Sequence, residues 1–360
     1  MPRTMLSSSM PAPRLALAAR ALARSRTCAR LARRRAAGFA TACVFDIDGV
    51  LFRGSAPLPH ARGSLDRLDR AGVPWLLLTN GGGEPETVKA AKLGKLLGRP
   101  VDVAQVVLSH TPMRALCAPL AARRVLILGC RDVEAVAASY GLRRAVTARQ
   151  LLHDEPARYP FIEVSEADRR AGSLPDRDEA IAAVMVLHDP NSWGLEIQVA
   201  MDALRGGTPF GAGIYSGGNP QQVPYYSSNA DLLFAATYPV PRLAGGSFTV
   251  ALRALWRAQH GSELEVTQFG KPERRTFDFA RSQLALWSGS PADAFSKIFM
   301  VGDNPRSDIR GANAAGDPWH SVLVRTGVFR GEANDAEDPA KTVVAGVKEA
   351  VDVALAGRGP

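Results

Sequence analysis

The chain has 360 residues, of which 46% are hydrophobic and 22% are charged, a composition typical of a soluble globular protein with room for two domains. The formal net charge of +9 would suggest nucleic acid or an acidic membrane as a partner, but the excess is confined to the N-terminus. Residues 1–45 hold nine arginines and no acidic residue, which leaves 35 basic and 35 acidic residues in the rest of the chain. We therefore expect no nucleic-acid partner. The absence of a long apolar run also argues against a transmembrane segment.

The N-terminal segment, residues 1–40, has the composition of a mitochondrial transit peptide. It is rich in Ala, Ser and Arg, and its leucines could form one face of a helix with arginines opposite. We expect it to be disordered and to direct the protein to mitochondria, with the matrix as the expected location. The alternative is a basic tail without a targeting role. The four cysteines show no CxxC spacing, which favours a reducing compartment and argues against a structural zinc site.

After the N-terminal segment, strands and helices alternate along the chain. Short apolar runs at 43–45 and 74–78 predict strands, and the spacing of apolar residues predicts a helix between them at 61–71. A second helix is predicted at 84–97. A strand, a helix and a strand in succession form a βαβ unit, so we expect a parallel sheet.

The middle of the chain repeats this alternation. We predict strands at 124–128 and 181–187 and helices at 132–140 and 192–204. The polar stretch at 154–179 is rich in Pro, Asp and Arg and is expected to be an exposed loop.

The C-terminal third is again predicted to alternate. The elements expected there are a helix at 248–260, a strand at 266–269, a helix at 273–286, a strand at 297–301, a helix at 306–315, a strand at 320–325 and a closing helix at 339–354. The predicted fold class is therefore α/β, with a Rossmann-like parallel-sheet core and an inserted α/β domain. We place the first part of the core at 41–111, the insertion at 112–243 and the second part of the core at 244–356.

Four short polar stretches follow predicted strands. They are FDIDGV at 45–50, LLTNGGG at 77–83, FGKP at 269–272 and VGDNPRSDIRGA at 301–312. Because ligands of open α/β sheets bind at the carboxyl ends of the strands, we expect these stretches to meet at one edge.

The acidic residues of these stretches suit a divalent cation. Asp46 and Asp48 are two residues apart in extended chain and so project to the same side, and Asp303 ends another strand in the same manner. Close carboxylates repel each other unless a cation lies between them. Hard oxygen ligands without His or Cys favour Mg²⁺.

The remaining polar groups suit a phosphoryl group. Thr79 offers a hydroxyl, Gly81–Gly83 offer backbone N–H groups just before a predicted helix, and Lys271 offers a positive charge. Together with a cation they predict a phosphoryl-binding site. For each motif alone, an ordinary turn, helix cap or surface residue remains the alternative.

The four motifs, in this order, resemble those of the haloacid dehalogenase (HAD) superfamily. DIDGV is similar to its DxDG motif, LLTN to its Thr/Ser motif, GKP to its lysine motif and GDNPRSD to its acidic motif. The insertion after LLTN resembles a C2-type cap of subfamily IIA. The stretches LSHTP at 108–112, DPNSWGLEIQ at 189–198 and SNADLLFAATYPVPRLAGGSF at 228–248 resemble the mitochondrial cat-eye-syndrome-critical-region phosphatase-like family.

The resemblance implies a role for each matching residue. Asp46 would be the nucleophile, Asp48 the general acid and base, and Thr79 and Lys271 would hold the phosphoryl oxygens. Mg²⁺ would be bound by Asp46, the main-chain carbonyl of Asp48 and Asp303, with Asp308 supporting its shell. The expected substrate-binding residues are Asn80, Gly81, Gly82, Asn229 and Asp231.

The expected function is that of a Mg²⁺-dependent phosphatase that hydrolyses a small phosphorylated metabolite through an aspartyl-phosphate. The resemblance further suggests a link to mitochondrial glycerophospholipid metabolism. Two alternatives remain: a protein of the same fold that binds a phosphorylated ligand or a protein partner with little turnover, and transfer of the phosphoryl group to an acceptor other than water.

Overall fold

The structure is a computed structural model that describes residues 41–172, 174–175, 179–207, 220–234, 238 and 240–356. The predicted transit peptide lies outside the described residues. Within the described ranges, no helix has the length and apolar character needed to cross a bilayer.

The described strands form two parallel sheets and two short antiparallel pairs. They are β1 (Thr41–Phe45), β2 (Phe52–Arg53), β3 (Ala56–Pro57), β4 (Trp75–Leu78), β5 (Val106–Val107), β6 (Val125–Leu128), β7 (Ala145–Thr147), β8 (Ala183–Val186), β9 (Tyr225–Ser227), β10 (Leu233–Phe234), β11 (Arg242–Leu243), β12 (Val266–Gln268), β13 (Lys297–Gly302), β14 (Trp319–Val324) and β15 (Thr342–Val344). The antiparallel pairs are β2 with β3 and β10 with β11.

Helices connect the strands and cover both sheets. The described α-helices are α1 (Ala61–Ala71), α2 (Glu86–Leu97), α3 (Val133–Ser139), α4 (Ala148–Asp154), α5 (Glu166–Gly172), α6 (Trp193–Arg205), α7 (Gly245–His260), α8 (Arg274–Ser288), α9 (Arg310–Ala315) and α10 (Val347–Ala356).

The first sheet has the order β15-β14-β13-β1-β4-β5, and all of its strand pairs are parallel. β1 is buried along its whole length because helices cover both faces of the sheet. Leu65 of α1 and Val351 of α10 pack on one face, and Phe277 of α8 packs on the other. This sheet is the predicted Rossmann-like core.

The second sheet has the order β12-β9-β8-β6-β7 and is also parallel. α6 and α7 pack on one face, where Val199, Phe248 and Trp256 are fully buried. α3 packs on the other face through Val136. This sheet and its helices form the inserted α/β domain, here called the cap.

The predicted return to the core at residue 244 is wrong, because the next two elements belong to the cap. α7 packs on the second sheet, and β12 pairs in parallel with β9. The cap therefore continues to about Phe269. The side chain of Phe269 belongs to the buried hydrophobic cluster on the α3 face of the cap sheet. Alternation of strands and helices is the same in both sheets, so the pattern alone did not indicate which sheet α7 and β12 join.

Two smaller predictions also differ from the structure. The predicted closing helix at 339–354 is replaced by the edge strand β15 followed by α10. Asp338, which directly precedes the predicted start of that helix, accepts two hydrogen bonds from Arg310. The stretch at 154–179, predicted as a loop, contains α5.

The position of α7 on the cap sheet can be tested by substituting one of its buried side chains. We expect Phe248→Ala to lower the free energy of unfolding of the cap by about 3–5 kcal/mol, because the side chain is fully buried and packs edge-to-face against Trp193 at 5.7 Å between ring centroids. Hydrogen exchange should show lost protection in β8 and β9. The exposed Val250→Ala on the same helix is the control. Lost protection in β1 and β13 instead would place α7 on the core.

Candidate active site

Three neighbouring strands of the core bring the predicted motifs together. Asp46 follows β1, Thr79 follows β4 and Asp303 follows β13, and β1 lies between the other two in the sheet. All three side chains are buried. The sequence prediction that these strand ends meet at one edge agrees with this arrangement.

Lys271 reaches this edge from the cap. It follows β12, so it lies on the segment that returns from the cap to the core and not at the end of a core strand, as the sequence had suggested. Its Nζ donates hydrogen bonds to Asp46 Oδ1 at 2.7 Å, to Asp308 Oδ1 at 2.6 Å and to the carbonyl oxygen of Leu78 at 3.0 Å. The ammonium is thus fully satisfied although it is only 2% exposed.

The carboxyl groups around Lys271 outnumber its single positive charge. Asp46, Asp303 and Asp308 each have a carboxylate oxygen within 4.8 Å of the others. Burial lowers the pKa of Lys271, but Asp308 and Asp46 outweigh this effect and raise it. Burial, followed by the charges of Asp46 and Asp308, raises the pKa of Asp303 to about 8. Burial also raises the pKa of Asp308 to about 6, with Lys271 opposing the rise.

This cluster fits a divalent cation. A cation among the three carboxylates would offset their mutual repulsion, and the donors are hard oxygens, which suit Mg²⁺. The neighbouring backbone leaves no room for further side chains. A Cβ on Gly49 would lie 2.3 Å from Asp303 Oδ2, and one on Gly327 would lie 1.9 Å from the same atom. The Val328 N–H donates to Asp303 Oδ2 at 2.6 Å and fixes that carboxylate.

Asp48 differs from the buried acids because its side chain is exposed. It is not a member of the carboxylate cluster, so its predicted contact with a metal through the main-chain carbonyl stays a prediction. Desolvation at the edge of the site raises the pKa of Asp48, and the positive charges of Lys89, Lys271 and Arg131 oppose the rise. A carboxyl group with a raised pKa holds a proton more readily, as a general acid must.

The loop after β4 is more tightly bound than its three glycines suggest. Thr79 Oγ1 accepts a hydrogen bond from the N–H of Gly81 at 3.0 Å, so that N–H is already engaged. A Cβ on Gly82 would lie 2.8 Å from both Ser109 Oγ and His110 Cδ2. Gly83 has φ of +79°, a conformation that favours glycine. The loop therefore needs small residues for close packing as well as for the predicted anion contacts.

Asn80 holds Lys271 in place. Its side-chain oxygen accepts a hydrogen bond from the N–H of Lys271 at 2.7 Å, and its Nδ2 donates to the carbonyl of Lys271 at 2.9 Å. Nδ2 also donates to Asp231 Oδ2 of the cap at 2.9 Å. The sequence did not predict this positioning role, which only the fold reveals. The predicted contact of Asn80 with a substrate stays a prediction.

Of the two predicted cap residues, Asp231 contacts the loop after β4 through Asn80, and Asn229 contacts Asp231. Asn229 Oδ1 accepts a hydrogen bond from the N–H of Asp231 at 2.9 Å and thereby sets the turn. Burial raises the pKa of Asp231, with Asn80 and Lys271 opposing the rise. Asp231 thus connects the cap with the loop after β4, and its role in binding a substrate, like that of Asn229, remains a prediction.

A second connection between cap and core was not predicted. Tyr140, at the end of α3 in the cap, donates to Glu86 Oε1 of α2 at 2.6 Å, and Glu86 also pairs with Arg114 at 2.9 Å. His110 Nδ1 lies 2.7 Å from the Tyr140 hydroxyl. Burial lowers the pKa of His110 to about 4, so the imidazole is neutral.

Comparison with known proteins agrees with the motifs. Residues 43–143 match the family described as haloacid dehalogenase-like hydrolase, and residues 268–350 match the family described as HAD-hydrolase-like. A solved hypothetical protein of Pyrococcus horikoshii has a TM-score of 0.62 and 23% identity, covering 87% of this chain and 99% of its own. That likeness supports the fold.

Three relatives are similar in sequence. A mitochondrial hydrolase of Saccharomyces cerevisiae is 34% identical, with 84% of this chain and 92% of the relative covered. A cardiolipin synthase (CMP-forming)/mitochondrial hydrolase fusion protein of Schizosaccharomyces pombe is 36% identical over 87% of this chain, which spans 53% of the fusion protein. A glycerol-3-phosphate phosphatase of Gallus gallus is 28% identical over 79% of each chain.

The acid cluster predicts a stability that depends on pH and cation together. Asp303 has a pKa of about 8 in the fold, above its ordinary value of 3.8, so between these values the folded state binds more protons than the unfolded state. Stability should therefore fall as the pH rises from 6 to 8 in EDTA. With Mg²⁺ the slope should flatten, because a cation favours the ionised carboxylates.

Thermal unfolding at a series of pH values measures this effect. Asp303→Asn should show a smaller slope in EDTA. Equal slopes with and without Mg²⁺ in the unsubstituted protein would contradict a cation at this cluster.

Proposed function

The chain belongs to the haloacid dehalogenase-like hydrolases of subfamily IIA and is a phosphoric monoester hydrolase; we propose that it uses Mg²⁺ and a phosphorylated Asp46 to act on a small phosphorylated metabolite in mitochondria. The observation that carries this proposal is the hydrogen bond from buried Lys271 to Asp46 beside two further buried carboxylates. Burial raises the pKa of Asp46, and the ammonium of Lys271 opposes this rise and thereby favours the ionised nucleophile. The same ammonium offers positive charge to a phosphoryl group.

In the first step, a carboxylate oxygen of Asp46 attacks phosphorus, and the bond from phosphorus to the ester oxygen breaks. Asp48 donates its proton to that leaving oxygen. The products are the free alcohol and the aspartyl-phosphate at Asp46. Lys271 lies within hydrogen-bond distance of Asp46 and stabilises the negative charge of the phosphoryl oxygens. The Thr79 hydroxyl and the backbone N–H of Gly82 are the proposed further donors to these oxygens.

In the second step, Asp48 is a carboxylate and removes a proton from a water molecule. The water oxygen attacks phosphorus, the bond between phosphorus and Asp46 breaks, and inorganic phosphate leaves. Asp46 and the proton on Asp48 are both restored. Mg²⁺, held by Asp46, Asp303, Asp308 and the main-chain carbonyl of Asp48, would supply charge neutralisation at the phosphoryl group.

The proposed substrate class is a phosphorylated glycerol compound. One relative is named glycerol-3-phosphate phosphatase, and another is a fusion with a cardiolipin synthase. These names favour a place in mitochondrial glycerophospholipid metabolism for this chain, and they argue against the alternative of a binding protein with little turnover.

The covalent mechanism can be tested with p-nitrophenyl phosphate, whose leaving group needs no proton. With Mg²⁺, we expect Asp48→Asn to release about one equivalent of p-nitrophenol in a burst and then to stall, because hydrolysis of the aspartyl-phosphate needs the base. Asp46→Asn should give no burst. Phosphate release by Asp46→Asn at the rate of the unsubstituted enzyme would exclude the mechanism. Absence of turnover by the unsubstituted enzyme on a panel of phosphomonoesters would favour the binding protein.

The mitochondrial location can be tested with residues 1–40 fused to a fluorescent reporter. We expect import, since the segment contains nine arginines and no acid. The matched control replaces all nine arginines by glutamine and should stay in the cytosol. Cytosolic fluorescence of the unsubstituted fusion would contradict the transit peptide.

A further inference from the structure

Two cationic side chains, Lys89 and Arg131, act on Asp48 through their charges and have no other role in the chemistry described above. Lys89 lies on α2, one turn after its start, and Arg131 lies on the cap loop after β6. Within the described part of the chain, neither forms an ion pair. Their neighbours differ in this respect, because Lys92 pairs with Glu84 and Arg114 pairs with Glu86.

The backbone holds Arg131 at the cleft in an unfavourable conformation. Its φ is 66°, in the left-handed region that non-glycine residues rarely adopt. The residues on both sides are fixed: the N–H of Asp132 donates to the carbonyl of Gly83 at 2.8 Å, and the N–H of Cys130 donates to the carbonyl of Asp189 at 3.1 Å. Strained residues of this kind cluster at ligand clamps, and here the strained residue is adjacent in sequence to Asp132, whose backbone is bonded to the loop after β4.

Both cations face the same space. The positive charges of Lys89 and Arg131 act on exposed Asp48 of the core and on His188 of the cap. Lys89 is half-buried and Arg131 is exposed, so both lie outside the buried cluster around Lys271. The acids Asp48, Glu84 and Asp189 act on the same groups, but within the described residues none of them forms an ion pair with Lys89 or Arg131. Two like charges placed together without an ion-paired partner favour an additional anion between them.

In the proposed mechanism, Lys271 and the cation at the acid cluster already neutralise the charge of the phosphoryl group that Asp46 attacks. The outer cations therefore suit another part of the substrate. We propose that Lys89 and Arg131 form a second anion subsite, which binds a negatively charged group that the substrate carries in addition to the phosphoryl group attacked by Asp46. The substrate class is then a phosphomonoester with a carboxylate, a second phosphate or a phosphodiester, groups that match the planar fork of Arg.

This proposal rests on the proposed function. Three compounds that share a terminal phosphomonoester on a three-carbon unit can test it. Glycerol 3-phosphate has no second anion, 3-phosphoglycerate has a carboxylate, and phosphatidylglycerol phosphate in mixed micelles has a phosphodiester. We expect kcat/KM to be higher for at least one of the two compounds with a second anionic group than for glycerol 3-phosphate. A preference for 3-phosphoglycerate indicates a soluble metabolite, and a preference for the micellar compound indicates a lipid headgroup.

The substitutions are Lys89→Gln and Arg131→Asn, the latter because Asn tolerates the left-handed conformation. Each should lower the ratio of kcat/KM for the preferred compound to that for glycerol 3-phosphate about tenfold, mainly through KM, as expected for loss of a charge-assisted hydrogen bond. The controls are Lys95→Gln, exposed in the last turn of α2, and Arg123→Gln, exposed before β6; both should leave the ratio unchanged. An unchanged ratio in the double variant would overturn the subsite.

A binding experiment separates failure of the subsite from failure of the proposed function. In Asp46→Asn with Mg²⁺, calorimetry should show tighter binding of 3-phosphoglycerate or of the micellar compound than of glycerol 3-phosphate, and Arg131→Asn should abolish the difference. Equal affinity for all three compounds would overturn the subsite even if the enzyme hydrolyses phosphomonoesters. A retained difference without turnover would support the subsite and contradict the proposed function.

Discussion

The buried ion pairs of Lys271 are the interaction on which the active site depends. One ammonium group neutralises part of the charge of Asp46 and Asp308, and these acids could not share a buried edge without it. Removing the lysine would leave the two carboxylates without their partner. The remaining negative charge, carried in part by Asp303, is what makes the cluster a place for a cation.

The two sheets contribute to this site in different ways. The core supplies the acids directly from the ends of β1 and β13, so their positions are fixed by strand pairing. The cap supplies Lys271 on its return segment and Asp231 through Asn80. Asn80 therefore contacts both the cap, through Asp231, and the backbone of Lys271, which is the counter-ion of Asp46 and Asp308. The contact of Tyr140 with Glu86 ties the cap to the core on its other side.

The sequence predicted the acids well because their signal is local. A buried apolar run followed by Asp marks the carboxyl end of a parallel strand, and this rule located Asp46 and Asp303 correctly. The sheet to which β12 belongs, and hence the origin of Lys271, could not be predicted, because strands of both sheets have the same pattern. The left-handed backbone of Arg131 left no signal either, since nothing in the segment LGCRDV distinguishes that conformation. The hydrogen bonds of Asn80 join residues far apart in sequence, so they required the fold.

The position of Lys271 between the two domains also constrains how the cap can be exchanged in protein engineering. Lys271 follows β12, the last described strand of the cap sheet in chain order, while the three glycines and the acids belong to the core. A chimera that takes its cap from a relative should therefore have its second junction before Gly270. Lys271 and Asn80 then come from the same parent, and the hydrogen bonds between Asn80 and the backbone of Lys271 are kept. The sequence pattern suggests a boundary near residue 244, and recombination there would divide the cap sheet. Lys271 and the edge strand β12 would then come from one parent and the other strands of the cap from the other parent.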